Sequence, residues 1–314
     1  MKKINSVNEK NKNSVNAFIN YIKDNYLGDV FTNYSFKDLT TLKIGGQIAC
    51  LYKPYTLDDL FVAYRYIIEE NIPYYIIGNG SNILASDKVF NIVVISLKEL
   101  NKITRITNNK FIVGSGVLTN KLAFELAKQG YTKQEFLSVI PGTIGGAIYM
   151  NAGAYNNSME DIVYDVTYLT EKGKLITLSK KELDFEYRSS IFKKLKGIIV
   201  SVTIELDKAL VKNAPLEKIA TYKRNKKETQ PINVLSAGST FKNINDLKAW
   251  QIVDKLGYRG YIYNGVMVST NHSNYIINNG NATYNDMITL LNIIKKEAKE
   301  KLNIELECEW EIIN

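Results

Sequence analysis

The hydrophobic pattern predicts alternating helices and strands over the first hundred residues. Apolar positions recur at helical spacing over residues 14–26, and Gly28 ends that pattern as a C-terminal cap. A capping pattern at Thr56 predicts the start of a second helix, which ends before Pro73. The apolar run 74–77 is typical of a buried strand. This order predicts a strand–helix–strand unit that closes in a glycine loop.

The middle of the chain predicts an antiparallel sheet with one clear helix. The helix covers residues 119–129, and a Lys-Gly turn between the strands 162–170 and 174–178 predicts a hairpin. Further short strands are predicted at 92–95, 111–113 and 198–206. An α+β fold class follows from this succession.

The last third begins after a polar, proline-containing link at residues 210–215. A basic helix is predicted from Pro215, a shorter helix near 246–256, and a strongly amphipathic helix from Asn285. The final stretch, 304–312, is predicted as one strand because apolar residues alternate there with Glu305, Glu307, Glu309 and Glu311.

These patterns divide the 314 residues into four parts. They are an N-terminal tail and helix (1–30), a first lobe (31–97), a second lobe (98–213) and a C-terminal domain (214–314). Residues 1–13 are expected to form a polar, mobile tail. No apolar run reaches the roughly 18 residues of a membrane helix, and the N-terminus lacks the apolar stretch of a signal peptide. A cytoplasmic protein, expected to be a monomer, is predicted.

Composition and charge narrow the chemistry. The chain has 40 basic and 32 acidic residues, a net charge of +8, which suits either a phosphate-rich partner or a lysine-solvated surface. With two cysteines far apart and one histidine, a zinc site is nearly excluded, and no metal site is predicted. Two free thiols in a reducing compartment are the expected state of the cysteines.

Four glycine-rich segments carry the first functional signal. Glycine lets backbone N–H groups converge on an anion and form a nest for phosphate oxygens. None of the segments has the spacing of a dinucleotide-binding GxGxxG helix or of a P-loop. Together they predict a nucleotide or flavin site, and they lie at residues 41–46, 78–82, 114–116 and 141–146.

The segment PGTIGGAIYMNAGAY at residues 141–155 resembles the UDP-N-acetylenolpyruvoylglucosamine reductases, the MurB flavoenzymes of peptidoglycan synthesis. Other blocks resemble the same family in the same order: 41–46, GNGSNIL at 78–84, YRSSIF at 187–192, SAGSTFKN at 236–243 and HSNYIIN at 272–278. The short path from Phe192 to Gln230 resembles the compact second subclass, which lacks a substrate-capping insertion.

The resemblance implies a two-lobed FAD-binding fold of the vanillyl-alcohol-oxidase type and a C-terminal α+β substrate domain. It also implies non-covalently bound FAD, NADPH as the hydride source, and a UDP-sugar substrate. In the implied reaction NADPH reduces the flavin, and UDP-N-acetylglucosamine enolpyruvate then takes up hydride and a proton to become UDP-N-acetylmuramate.

Three catalytic residues are implied by the matching blocks. Arg188 corresponds to the family's arginine, which holds the substrate carboxylate and the charge that develops on it. Ser239 corresponds to the proton donor. Glu309 corresponds to the carboxylate that assists the enolic intermediate, although Trp310 and Glu311 follow it where the family has a valine and a basic residue. A register shift of two would give that role to Glu307 or Glu311.

The resemblance also implies binding residues. For the substrate these are Arg188, Arg224 and Asn243. For FAD they are Thr41, Gly78, Asn79, Gly80, Ser81, Asn82, Gly116, Pro141, Gly142, Thr143, Ile144, Gly145 and Gly146.

Two alternatives remain open from the residues. One is a sugar or alcohol oxidase on the same FAD fold, for which Cys50 would be the nearest residue to tether a flavin. The other is a basic nucleic-acid-binding protein, suggested by the net charge and the 21 tyrosines, although no known nucleic-acid-binding module is present.

Overall fold

The first helix begins earlier than its apolar pattern indicates. The structure is a computed structural model that describes residues 9–314, and in it α1 spans Glu9–Asp24. Residues 9–13 of the predicted tail are therefore helical, and residues 1–8 lie outside the described part. Tyr26 does not continue the helical stripe: it has a φ of 55° and is exposed, so the chain turns away from the core at this residue.

The first lobe is a mixed sheet covered on one face by helices. Its central strands β3, β6 and β4 are parallel, and β1 and β2 add antiparallel pairs to β3. Helices α1 and α3 bury their apolar stripes on this sheet. The capping box predicted at Thr56 is present, with Asp59 as its partner. The elements are β1 Asp29–Phe31, β2 Tyr34–Ser35, α2 Phe36–Leu39, β3 Gln47–Lys53, α3 Leu57–Glu69, β4 Tyr74–Ile77, β5 Ile83–Ala85 and β6 Phe90–Ser96.

The second lobe is the predicted antiparallel sheet, with strand order β13-β12-β14-β8-β7. The hairpin predicted around the Lys-Gly turn is formed by β12 and β13. The elements are β7 Ile103–Arg105, β8 Lys110–Gly114, α4 Thr119–Lys128, β9 Tyr131–Thr132, α5 Ile144–Tyr149, β10 Gly153–Ala154, β11 Asn157–Ser158, β12 Val163–Thr170, β13 Leu175–Ser179, β14 Gly197–Glu205 and β15 Asp207–Lys208. Short 3-10 turns lie at Glu135–Val139, Met159–Asp161, Lys180–Leu183 and Ile191–Lys193.

The C-terminal part is a small antiparallel sheet, β16-β19-β18-β17, packed against α7 and α8. Helix α6 precedes it but buries Ile219 in the core of the second lobe. The elements are α6 Ala214–Thr229, β16 Leu235–Ser236, α7 Ala249–Lys255, β17 Ile262–Tyr263, β18 Val266–Val268, β19 Ile276–Asn278, α8 Tyr284–Leu302 and β20 Glu311–Ile313. No helix among residues 9–314 is long and apolar enough to cross a membrane.

The last predicted strand is much shorter than its alternating pattern suggests. Only Glu311–Ile313 forms a strand, and it pairs in parallel with Ile83–Ala85 of the first lobe. The preceding residues form one isolated bridge, between Phe241 and Cys308. The alternation is nevertheless real in burial, because Leu306 and Trp310 enter the C-terminal core while this segment crosses toward the first lobe.

Candidate active site

A cavity of about 1690 Å³ lies where the first lobe, the second lobe and the C-terminal part of the chain meet. Ordinary ligand pockets measure roughly 300–1,000 Å³, so this one can hold a dinucleotide and a second ligand together. Most of the predicted site residues line it: Thr41, Gly78, Asn79, Gly80, Ser81, Asn82, Gly116, Pro141, Gly142, Thr143, Gly145, Gly146, Arg188, Ser239 and Glu309.

The glycine loops of the two lobes contact each other directly. Ser81 donates its hydroxyl to the Pro141 carbonyl oxygen over 2.7 Å. The Thr41 N–H donates to the Gly80 carbonyl oxygen over 3.1 Å, and the Thr41 hydroxyl donates to the Ser236 carbonyl oxygen over 2.6 Å. One wall of the cavity is thus built from four distant stretches of sequence.

Gly80 shows why this wall requires glycine. Its φ is +63°, and a Cβ atom there would lie 2.0 Å from the Leu39 carbonyl oxygen. A side chain would therefore meet backbone that cannot move aside easily. At this position glycine permits loops to pack together, which is a different use from the anion nest predicted from sequence.

Two of the predicted backbone donors at the start of α5 already have protein partners. Ile144 donates its N–H to the Val117 carbonyl oxygen, and Gly145 donates to the Ser115 carbonyl oxygen, both over 2.9 Å. The Ile144 side chain is fully buried in the core of the second lobe. Ile144 is therefore a packing residue and does not line the cavity, contrary to its predicted cofactor contact.

Unpartnered polar groups in the cavity wall fit a ligand rich in oxygen and nitrogen. The hydroxyls of Ser115 and Ser138 are buried in that wall, and neither has a hydrogen-bond partner among the described residues. Buried polar groups normally have partners, so these two hydroxyls require a partner, which a ligand in the cavity can supply. The diphosphate, ribityl and ring heteroatoms of FAD meet this requirement.

Arg188 and Glu309 form an ion pair at the cavity wall. The Arg188 Nε–H donates to Glu309 Oε1 over 2.7 Å, and its Nη2 donates to the Gly153 carbonyl oxygen over 3.3 Å. The two side chains are 20% and 14% exposed. Burial raises the pKa of the Glu309 carboxyl, and the guanidinium of Arg188 opposes that shift. The backbone of Arg188 is left-handed, with a φ of 58°.

The three neighbouring glutamates have separate partners. Glu307 is largely exposed and pairs with Lys242 over 2.6 Å, outside the cavity. Glu311 lines the cavity and pairs with Lys193 over 3.1 Å. Only Glu309 of the three contacts Arg188, and this supports our assignment of register.

Ser239 belongs to a second polar group in the same cavity, together with Tyr275 and Gln230. The Tyr275 hydroxyl donates to Gln230 Oε1 over 2.8 Å. Burial raises the pKa of Tyr275 to about 12, the Ser239 side chain lowers it by hydrogen bonding, and the charge of Glu309 raises it. The two groups of polar residues, around Arg188 and around Ser239, therefore lie within electrostatic reach of each other.

Arg224 and Asn243, both predicted to contact the substrate, do not line the cavity. Asn243 Oδ1 accepts the Ala249 N–H over 3.0 Å at the start of α7, which is a structural use of that side chain. On α6 the residues that line the cavity are Lys223, Lys226, Lys227 and Thr229. The three lysines share one helix face, and Arg224 lies to one side of it. Lys226 is half-buried, whereas Lys223, Lys227 and Arg224 are exposed.

Sequence reasoning missed Tyr275, Lys193, Tyr149 and Lys226. Tyr275 and Lys226 lie inside segments that had been noticed, namely HSNYIIN and the basic helix, but nothing in them singles out one residue. Lys193 follows Phe192 directly, and its pairing with Glu311 depends on the tertiary fold. The unusual Glu311 was the one available signal that a basic partner lies nearby.

Comparisons with known proteins agree with this geometry. A family described as an FAD binding domain matches residues 48–179, and the UDP-N-acetylenolpyruvoylglucosamine reductase C-terminal domain matches residues 230–313. The curated UDP-N-acetylenolpyruvoylglucosamine reductase of Caldanaerobacter subterraneus is 37% identical over 91% of this chain and 94% of its own. That of Petrotoga mobilis is 37% identical over 90% of this chain and 94% of its own.

A solved structure supports the same assignment. The UDP-N-acetylenolpyruvylglucosamine reductase (MurB) of Thermus caldophilus has 31% identity and a TM-score of 0.77, over 91% of this chain and 99% of that one. The predicted fold class, an FAD-binding fold of the vanillyl-alcohol-oxidase type with a C-terminal α+β domain, is confirmed. On this evidence the chain belongs to the UDP-N-acetylenolpyruvoylglucosamine reductase (MurB) family.

Proposed function

We propose that this protein reduces UDP-N-acetylglucosamine enolpyruvate to UDP-N-acetylmuramate with NADPH and non-covalently bound FAD, in the synthesis of peptidoglycan precursors. The observation that carries the proposal is the Arg188–Glu309 ion pair in the wall of the cavity that the FAD loops line. Two curated relatives with the name of that reductase match this chain over 94% of their own length.

The residues of the cavity have complementary tasks in this reaction. Bound FAD supplies the hydride chemistry. Arg188 binds the enolpyruvyl carboxylate and stabilises the negative charge that develops there, because a guanidinium stays charged and holds a carboxylate through two N–H donors. Glu309 fixes the orientation of Arg188 through the 2.7 Å bond. Ser239 donates a proton to the substrate carbon.

The substrate's diphosphate is best assigned to the lysine face of α6. Lys223, Lys226 and Lys227 line the cavity, so their ammonium groups can meet phosphate oxygens. Lys226 also donates to the Val139 carbonyl oxygen over 2.7 Å, which fixes its position. We propose Lys226 for the role that the sequence had suggested for Arg224.

The two alternative functions receive no support from these observations. Cys50, the nearest residue for a covalent flavin bond, is fully buried in the first lobe and does not line the cavity. Burial also raises the pKa of its thiol to about 12, which disfavours the reactive thiolate. Neither of the two families that match this chain is described as a nucleic-acid-binding module. We further propose a monomer in the cytoplasm, where the nucleotide substrate and NADPH are present.

The experiment is a pair of half-reactions with the purified protein. Bound FAD is expected to colour the protein yellow, and anaerobic NADPH is expected to bleach it. Adding UDP-N-acetylglucosamine enolpyruvate should then restore the colour and form UDP-N-acetylmuramate in equal amount. If the purified protein does not bind FAD, the proposal is wrong. Flavin that stays attached after acid precipitation, with reoxidation by oxygen but not by the sugar nucleotide, would favour the oxidase.

A further inference from the structure

We infer that Tyr275 is a positioning and proton-relay residue, which orients Ser239 and returns a proton to it after Ser239 has protonated the substrate carbon. The inference rests on the proposed function, because the proton acceptor is the enolpyruvyl substrate.

Thr240 fixes the backbone of Ser239 beside that of Tyr275. The Thr240 N–H donates to the Asn274 carbonyl oxygen over 2.8 Å, and the Ile276 N–H donates to the Thr240 hydroxyl over 3.1 Å. Thr240 is thereby bonded to both chain neighbours of Tyr275, and it is fully buried. These bonds hold the adjacent Ser239 next to the tyrosine.

Thr240 also holds the backbone of Glu309 close to Ser239 and Tyr275. The Glu309 N–H donates to the Thr240 carbonyl oxygen over 2.9 Å. The proton donor, the tyrosine and the carboxylate that pairs with Arg188 are therefore arranged around one buried threonine. Proton transfer and charge stabilisation can act on the same bound substrate because this arrangement is fixed by backbone bonds.

Tyr275 is held in one orientation at the cavity wall. Its hydroxyl donates to Gln230 Oε1 over 2.8 Å, and the residue is 8% exposed. Its ring also packs edge-on against His272, with 5.1 Å between ring centroids. With its proton directed at Gln230, the phenolic oxygen can accept a hydrogen bond from Ser239.

The acidity of the two hydroxyls favours transfer from tyrosine to serine. A phenol is a stronger acid than a serine hydroxyl, even though burial raises the pKa of Tyr275 to about 12. A serine alkoxide beside this phenol will therefore take the phenolic proton. Among residues 9–314, Tyr275 is a titratable group whose pKa the Ser239 side chain lowers by hydrogen bonding.

The relay balances in three transfers. The Ser239 O–H bond breaks as a new C–H bond forms on the substrate carbon, which neutralises the negative charge left by hydride addition. The Ser239 alkoxide then takes the proton of the Tyr275 O–H. Finally the Tyr275 phenolate takes a proton from water in the open cavity, and Gln230 accepts the restored O–H. No oxidant or reductant is consumed in these steps.

The test compares Tyr275→Phe with the wild type in the two half-reactions. Reduction by NADPH should be unchanged. A single reoxidation by the enolpyruvyl substrate should slow by about 10- to 100-fold, because Ser239 loses the partner that orients it. The solvent deuterium isotope effect on steady-state turnover should increase, because the return of a proton to Ser239 then limits the rate. Tyr258→Phe is the matched control, since it removes a buried tyrosine hydroxyl from the same domain outside the cavity.

A double variant separates the relay from a structural role. If Tyr275 acts through Ser239, then Ser239→Ala combined with Tyr275→Phe should be no slower than Ser239→Ala alone. Equal additional slowing in the double variant would overturn the relay, as would a Tyr275→Phe protein with the wild-type rate and isotope effect. If the reduced wild type is not reoxidised by the substrate at all, the proposed function falls first, and the relay falls with it.

Discussion

Arg188 and Glu309 stand 121 positions apart in sequence and share a hydrogen bond of 2.7 Å in the wall of the cavity. The bond uses the Nε–H of the guanidinium, and Nη2 donates to the Gly153 carbonyl oxygen. Since a guanidinium has five N–H donors, further donors remain for a ligand carboxylate. The carboxylate of Glu309 therefore orients Arg188 without exhausting its binding capacity.

Replacing Arg188 should separate the two half-reactions. In Arg188→Ala we expect NADPH to reduce the flavin at the wild-type rate, because the guanidinium acts on the sugar nucleotide. Reoxidation by UDP-N-acetylglucosamine enolpyruvate should slow by about 10²–10³-fold, since the developing carboxylate charge loses its cation. Anaerobic stopped-flow absorbance measures both rates. Normal reoxidation in this variant would refute the role of Arg188.

The pH dependence of reoxidation should report on Glu309. Burial raises the pKa of this carboxyl and Arg188 lowers it, so protonation should slow reoxidation on the acidic limb at a pH above the usual range for glutamate. Removing the cation in Arg188→Gln should move that limb to higher pH. In Glu309→Gln the limb should vanish. A limb that persists in Glu309→Gln belongs to another group, and the assignment would then be wrong.

Gly80→Ala should impair FAD binding far more than its backbone conformation alone predicts. The added methyl group would meet the Leu39 carbonyl oxygen at 2.0 Å, and displacing that contact disturbs the loop in the cavity wall. We expect a loss of about 3 kcal/mol or more in the free energy of unfolding, with FAD affinity reduced in parallel.

Gly173→Ala is the control for Gly80→Ala. Gly173 has a similar φ of +69°, lies in the hairpin turn and has nothing within 4 Å of the added methyl group. It should lose only the roughly 1–2 kcal/mol that left-handed backbone costs a residue with a Cβ. Denaturant titration and fluorescence titration with FAD measure the two quantities. Equal effects in both variants would show that the loop contact is unimportant.

Lys226 and Arg224 provide a matched pair of cations on α6. Lys226→Met should weaken the binding of UDP by about tenfold and flatten its salt dependence, because a charge-assisted bond to phosphate is lost. Arg224→Met should leave both unchanged, since Arg224 does not line the cavity. Isothermal titration at two salt concentrations measures the effect. If Arg224→Met weakens UDP binding and Lys226→Met does not, Arg224 contacts the substrate, as the sequence predicted.

The ion pair of Lys193 and Glu311 connects the second lobe to β20. If its task is to hold these two parts together, the protein should tolerate an exchange of the two charges. Lys193→Met leaves a partly buried carboxylate without its cation, so we expect a loss of about 1–3 kcal/mol in the free energy of unfolding. The double variant Lys193→Glu with Glu311→Lys should recover most of it. Stability that is not recovered, with a shifted flavin reduction potential, would instead indicate that the ammonium position itself matters.

The sequence predicted the regular elements well because their burial is periodic. The capping box at Thr56, the hairpin after residue 162 and the apolar stripe of α8 are local patterns, and the structure contains all three. The last strand was predicted too long, because residues 304–310 alternate in burial but pair with a neighbouring segment only through the isolated bridge at Cys308. Periodicity records which side chains are buried, and it does not record which backbone groups find partners.

The candidate site was predicted less completely, for a different reason. The glycine loops and Arg188 stand in distinctive motifs, whereas Tyr275 and Lys193 acquire their partners only through the tertiary fold. Arg224 illustrates the limit: it lies in the correct helix, yet one position separates it from the face that lines the cavity. A motif can place a segment at a site, but the turn of a helix decides which side chain arrives there.

The pairing of β20 with β5 has a consequence for the order in which the protein is made. Asn82, in the first lobe, donates its side-chain amide to the carbonyl oxygen of Glu309, a residue translated 227 positions later. A ribosome that has finished the first lobe has therefore not yet supplied β20, the strand that pairs with β5, or the carboxylate of Glu309. Capture of the cofactor in its final setting must wait until the distal end of the chain emerges and folds back.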